Sequence, residues 1–329
     1  MTMPTVDLID FKDLDVRQFR NLLLGNGFSI GIDHKFMYRT LYDAGVGLGS
    51  INLVEQQLFD VFSTKDFEYL LRKLAQASTV NKILNIDHLT PAQKYTLIRN
   101  ALVRAVHLVH PNFNTLNSDW VSECAGFMRT FDSILSLNYD LFPYWISGSS
   151  DFEGFTDFFW SSGLIFDPFD IDVWGKKTKM YYPHGALFLF EDLEGDIGKI
   201  RLNEGQNVLD QISSHMENLN IPIFIAEETY QSKMRKIQQN PYLTFAYSRI
   251  SQMNGGLVIY VTSLSSQDTH IINAIKKSSV YRIAVGLHVN GKTAFDIEAE
   301  KMTIQQKFQG KNIKFHFFDT KTCPLMYIS

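Results

Sequence analysis

Cysteine is almost missing from this 329-residue chain: Cys124 and Cys323 are the only two, far apart and outside any C-x-x-C pair. A Cys₄ zinc site is thereby excluded, and a disulfide framework is argued against. Long apolar runs are missing too, since none approaches the ~18 residues that a membrane helix needs. The opening segment MTMPTVDLIDFKDLD is acidic and lacks the basic-then-apolar order of a secretory signal. A cytoplasmic, reducing setting with no membrane partner is expected. Positive charge is not in excess, with 31 Lys and Arg against 35 Asp and Glu and a net charge of −4. Nothing in the bulk charge therefore asks for nucleic acid as the primary partner. A local basic group, Lys233, Arg235 and Lys236, has the spacing of a solvated helix face. Repeats and low-complexity stretches are lacking as well.

What is present is ample material for a core, with 45% hydrophobic and 20% charged residues. An apolar run of strand length over Arg20–Leu24 stops in Gly25-Asn26-Gly27-Phe28-Ser29. From Ser50 to Trp120 apolar residues recur at three and four, as in Leu53-Val54-Leu58-Val61-Phe62, which is helical spacing. Strand-like runs begin at Ser133–Asp140 and Met180–Phe190, the latter broken by a turn at Pro183. The last third alternates strands (222–226, 256–261, 281–287, 313–318) with helices (208–216, 230–237, 242–253, 267–275, 294–308). Such alternation predicts α/β architecture: a Rossmann-like parallel sheet with helices on both faces. The chain reads as a single domain over residues 1–329, with a helical insert after the first strand at about 45–130.

In an open parallel sheet, ligands bind beyond the carboxyl ends of the strands, and four segments fall there. The first is Gly25-Asn26-Gly27-Phe28-Ser29, whose two glycines permit a sharp turn and a close approach to a phosphate. It departs from G-x-G-x-x-G at Ile30, and no acidic residue closes a second strand about twenty positions on, which argues against a dehydrogenase. The second is Leu137-Asn138-Tyr139-Asp140, where Asn138 and Asp140 face one crevice if the chain stays extended, or form an Asx turn if it does not. The third is Tyr182-Pro183-His184-Gly185, which offers the side chain best suited to proton exchange near neutral pH, or a hydrogen-bonded structural histidine. The fourth is Tyr260–Asp268, a strand ending in the hydroxyls of Thr262, Ser263, Ser265 and Ser266, of which N-capping would explain one.

This ordered set resembles the sirtuin-type NAD-binding family, over about residues 18–320. GNGFS is similar to its glycine motif, with Asn26 where alanine is usual; Asn138 and Asp140 are similar to its Asn-x-Asp motif. His184 falls where the family has its catalytic histidine, and Thr262-Ser263 with Asp268 resembles its late ribose-binding strand end. The likeness is greatest to stand-alone bacterial sirtuin-like proteins of antiphage defence, a branch that Thr64–Glu68, Ala226–Thr229 with Lys233, and Leu264–His270 also fit. The resemblance implies NAD glycohydrolysis, releasing nicotinamide and ADP-ribose, with NAD as substrate and no metal. It implies catalytic roles for Asn138 and His184. Gly25, Asn26, Gly27 and Ser29 would hold the pyrophosphate, Phe28 would pack on the nicotinamide side, and Asp140, Ser263 and Asp268 would contact ribose or support the loops. Asp33, Phe36 and Tyr38 are a candidate lid. Protein deacylation is disfavoured by the missing zinc module, while a non-catalytic NAD or ADP-ribose sensor is the alternative. An NADase must be kept silent in its host, so self-association or a regulatory nucleotide-sensing or ATPase partner is expected. The acidic loop 191–196 and the aromatic stretch Phe155–Trp160 are candidate contact regions.

Overall fold

Leu22, Leu23 and Leu24 are completely buried, as a strand needs to be when both faces of its sheet are covered. They belong to a computed structural model that describes residues 7–36, 38–65, 67–149, 151–160, 164–170, 177–191, 196–201, 208–217, 222–225, 230–262, 264–265 and 268–327, without the side chains at 38–40, 68, 72, 213–217 and 232. A short β1 (Leu8–Ile9) precedes β2 (Phe19–Leu24) and α1 (Gly27–Ile32). A run of helices follows: α2 (Tyr38–Gly47), α3 (Leu53–Val61), α4 (Phe67–Ile83), α5 (Leu89–Val109) and α6 (Ser118–Met128). Next come β3 (Ser133–Ser136), α7 (Phe142–Gly148), β4 (Phe155–Thr156), β5 (Thr178–Tyr181), β6 (Gly185–Glu191), β7 (Ile197–Lys199), α8 (Val208–Glu217) and β8 (Pro222–Phe224). The chain ends with α9 (Tyr230–Gln239), α10 (Pro241–Gln252), β9 (Asn254–Tyr260), α11 (Thr269–Lys277), β10 (Ser279–Leu287), α12 (Ala294–Lys307) and β11 (Lys314–Asp319).

Eight strands form one sheet in the order β1-β11-β10-β9-β2-β3-β5-β4, and every neighbouring pair is parallel. From β2 the chain winds outward through β3 to β5. It then returns to lay β9 on the other side of β2, and winds outward again through β10 to β11. The six central strands thus have the doubly wound Rossmann order, and the crevice where the winding reverses lies between β2 and β9. The expected α/β class, with helices flanking a parallel sheet and a helical segment after the first strand, is what the chain adopts. Strand pairing leaves a second, antiparallel sheet, β7-β6-β8, beside the first.

The helices between β2 and β3 pack α2 and α4 on α5. Buried Glu55 ties them together: it closes a capping box with Asn52 at the start of α3 and pairs with Lys94 of α5 at 2.5 Å. Leu53, Val61, Ile83, Leu84 and Leu89 of this region are exposed, in spite of their helical spacing. Most of the stretch Phe155–Trp160 is core rather than contact surface: Phe155, Phe158 and Phe159 are buried and only Trp160 at its end is exposed, and the surrounding rings box in a buried Lys199–Asp157 ion pair of 2.6 Å. Phe36 is likewise no lid, since its ring packs edge-on against His110 and Phe142 at 5.3 and 5.2 Å. The Tyr38 side chain, residues 192–195 of the acidic loop and residues 226–229 lie outside the described residues.

Candidate functional site

β2, β3, β5, β9 and β10 all end at one cavity of about 520 Å³, within the ~300–1,000 Å³ usual for small-molecule sites. Gly25, Asn26 and Gly27 line it after β2, Asn138 and Tyr139 after β3, and His184 after β5. Thr262, Ser265 and Asp268 line it after β9, and Gly286 and His288 at the end of β10. Lys233 of α9, Lys292 just before α12 and Glu300 of α12 add to the wall. Three of the four segments singled out in the sequence therefore meet through Asn138, His184 and the glycine turn, and the fourth joins them through Thr262 and Asp268. Ser263 lies outside the described residues.

The glycine turn serves contact between chain segments as much as ligand approach. The Gly25 N–H bonds the Tyr260 carbonyl at 3.0 Å and the Gly27 N–H bonds the Val261 carbonyl at 3.1 Å, so neither is left to grip a phosphate. A Cβ on Gly25 would stand 2.3 Å from Thr262 Cβ, and one on Gly27 1.9 Å from Val261 Cγ1. Glycine is needed here so that the start of α1 can touch the β9 exit. That exit is itself strained, with Val261 and Leu264 at φ of 47° and 43°, a region costly for a β-branched residue. Replacing Gly27 by alanine is expected to destabilise the chain by about 1–3 kcal/mol, read as a lower denaturation midpoint at unchanged slope, because packed backbone must shift.

Phe28 turns away from the cavity. It is buried between Trp120, at 6.3 Å, and Tyr260, at 6.2 Å, so its expected place beside a nicotinamide is corrected to a core one. Ser29 and Asp140 are also buried outside the cavity wall, and they work through Asn138. Asn138 Nδ2 donates to Ser29 Oγ at 2.9 Å, and Ser29 Oγ in turn donates to Asp140 Oδ2. Asn138 Oδ1 is buried without a hydrogen-bond partner, which marks it as the atom left for something else to satisfy. The segment is a loop, not strand, because side chains take its backbone donors. Asp140 Oδ1 accepts from Phe142 N–H at 3.0 Å, and His110 Nε2 accepts from Leu141 N–H, also at 3.0 Å, which starts α7. Burial pushes the Asp140 carboxyl up to about 6, against the pull of the Ser29 and Phe142 hydrogen bonds.

His184 sits in a turn that glycine makes possible. Gly185 has φ of 77°, and a Cβ there would lie 2.0 Å from the Ile223 carbonyl oxygen. Burial holds the His184 imidazole well below its ordinary pKa, the nearby Lys233 ammonium adds to this, and a hydrogen bond to the Leu137 backbone opposes it. The ring is thus neutral at pH 7. Its Nε2 lies 2.8 Å from Nε2 of His270, a buried residue on α11. With the Leu137 carbonyl taking the Nδ1 proton, His184 Nε2 is the acceptor and His270 Nε2 the donor. Lys233 pairs with Asp268 at 3.3 Å.

The solvated face expected for Lys233, Arg235 and Lys236 therefore divides: Arg235 and Lys236 are exposed, but Lys233 is buried against the site. His288, Lys292 and Glu300 carry no local mark, and His270 enters only as the end of the Leu264–His270 segment, because it is the sheet order that brings α11, the β10 exit and α12 to this crevice. Comparison with curated proteins finds no match. Over residues 22–325 the sequence matches the family described as a domain of unknown function, DUF4917, a span that takes in the whole site from Gly25 to Glu300; the chain belongs to that family.

Proposed function

We propose that this cavity binds NAD and hydrolyses its nicotinamide–ribose bond, giving nicotinamide and ADP-ribose. The observation that carries the reading is the pairing of Asn138 and His184 on one wall, at the switch point of a doubly wound sheet, with Asn138 Oδ1 buried and unbonded. In this reaction the C1′–N bond breaks and its electron pair passes to the pyridinium nitrogen. Water adds to C1′ and gives up a proton. The transition state resembles an oxocarbenium ion, so holding the sugar and the water matters more than a strong nucleophile. Asn138 would orient the ribose or the water, its amide locked by Ser29 and Asp140. His184, neutral by burial, would take the proton once His270 yields the Nε2 lone pair to the water. Asn26, Thr262 and Asp268 would contact phosphate or ribose. The two cysteines, both free and buried, provide no zinc module for a deacylase.

As an NAD-depleting effector of antiphage defence the chain would need a silent state, through self-association or a regulatory partner. The exposed Leu53, Val61, Ile83, Leu84 and Leu89 support such assembly. One observation favours the second reading, a sensor that binds NAD or ADP-ribose without turnover: the His184 lone pair faces His270 rather than open space. The purified protein, incubated with NAD, is expected to release nicotinamide and ADP-ribose in equal amounts, followed by chromatography. Saturable NAD binding in a calorimeter with no product at any protein concentration would establish the sensor instead.

A further inference from the structure

One ring nitrogen of His184, one of His270 and a carboxylate oxygen of Asp268 all lie within 4.8 Å of one another at the edge of the cavity, the two Nε2 atoms being 2.8 Å apart. Two imidazoles and one carboxylate are a donor set for a transition-metal ion, above all Zn²⁺, with the fourth position left to water or ligand. The geometry points to a divalent-metal site formed by His184, His270 and Asp268.

Three further features fit it. The His184 ring is anchored on its other side by the Leu137 backbone, the outer hydrogen bond that orients metal-binding histidines and fixes the tautomer with Nε2 as donor atom. Both histidines are at most 5% exposed, so their rings are held by packing and little ordering is left for a metal to impose. Asp268 stands at the start of α11 but caps nothing with its side chain, which instead reaches toward Lys233 and is partly open to the cavity. That opening is the entry path. Zn–N bonds of about 2.0–2.1 Å require the two nitrogens, now 2.8 Å apart, to part slightly and the His270 proton to move from Nε2 to Nδ1, so that both rings ligate as neutral imidazoles. Lys233 must at the same time release Asp268. The ion would then occupy the lone pair that the hydrolase reading assigns to proton transfer. Inhibition by Zn²⁺ rests on that reading, whereas binding of the ion does not.

The test uses Zn²⁺ alone, with no nucleotide present, titrated into chelator-stripped full-length protein against a chromogenic zinc indicator. One ion per chain is expected for the unaltered protein. His270→Ala and Asp268→Asn should each weaken binding by about 10–100-fold or more. In ¹⁵N histidine side-chain spectra, Zn²⁺ should shift His184 and His270 together and leave His110 in place. Absence of saturable binding to protein that melts cooperatively would overturn the site, as would equal affinity in Asp268→Asn, whose partly exposed position keeps the comparison valid should His270→Ala fail to fold. Because no turnover is measured, failure of the hydrolase reading leaves this result standing, and failure here leaves NAD cleavage to be judged on its own products.

Discussion

Alanine at His184 is expected to slow nicotinamide release by about 10²–10⁴-fold, the range that a positioned general base contributes. The ring is buried, held by the Leu137 backbone and by His270, so its removal also costs packing; His184→Gln, closer in size, separates the two effects. Both variants should lose turnover while Gln keeps the melting temperature nearer to that of the unaltered protein. Asn138→Ala should fall as far in kcat with the fold retained, because it removes the amide that Ser29 and Asp140 hold in place. A His184→Gln protein with undiminished turnover would remove this side chain from the chemistry. The companion measurement is NAD affinity: a base that acts on water lowers kcat and leaves KM almost unchanged.

The second large effect concerns Asp140. The folded chain keeps a proton on this carboxyl up to about pH 6, whereas in the unfolded chain the value is the ordinary 3.8. Its contribution to stability is therefore complete below pH 3.8 and is lost as pH rises through 6, where an ionised carboxylate must be buried. A shift of about two units corresponds to about 3 kcal/mol at neutral pH. Asp140→Asn cannot ionise and still accepts the Phe142 N–H, so it should be more stable than the unaltered protein at pH 7.5, and the gap should close toward pH 4. Thermal melts across this range measure it. Activity should move the other way, because the asparagine leaves the Ser29 hydroxyl without an acceptor and frees Asn138 to turn. A parallel loss of stability and activity at pH 7.5 would show that the carboxylate is compensated in a way that these hydrogen bonds do not reveal.

Much of the order of elements was legible in the sequence because the central strands carry short apolar runs and the longer helices repeat at three and four, while the short β1, β4, β7 and α7 left no such mark. The β2 strand, the turn at Pro183 and the alternation of the last third needed no tertiary information. Strand ends were read less well. Ser133–Asp140 looks extended throughout, yet the strand stops at Ser136, whose hydroxyl takes the Asn138 N–H, and His110, remote in sequence, and Asp140 then take those of Leu141 and Phe142 to start α7. In the site, Asn138 and His184 were visible because a polar residue just past an apolar run is locally unusual. Phe28 was misplaced since an aromatic beside a glycine turn gives no sign of which side it will take; its direction is set by Trp120 on α6. Lys233 was hidden for a similar reason. Its two basic neighbours on α9 are exposed, whereas the returning start of α11 brings the Asp268 carboxylate against Lys233.

The missing Cβ atoms at Gly25 and Gly27 let the β2 turn close directly on Val261 and Thr262 of the β9 exit. Backbone rests on backbone there, and through Ser29 the same turn is linked to Asn138. The two rims of the cavity are thus parts of one stiff lever. A push on the loop after β9, from a ligand or from a protein docked outside, passes through Val261 and Thr262 into the glycine turn and on through the Ser29 hydroxyl to the Asn138 amide. This joint is a route by which distant contact can set the angle of a single side chain.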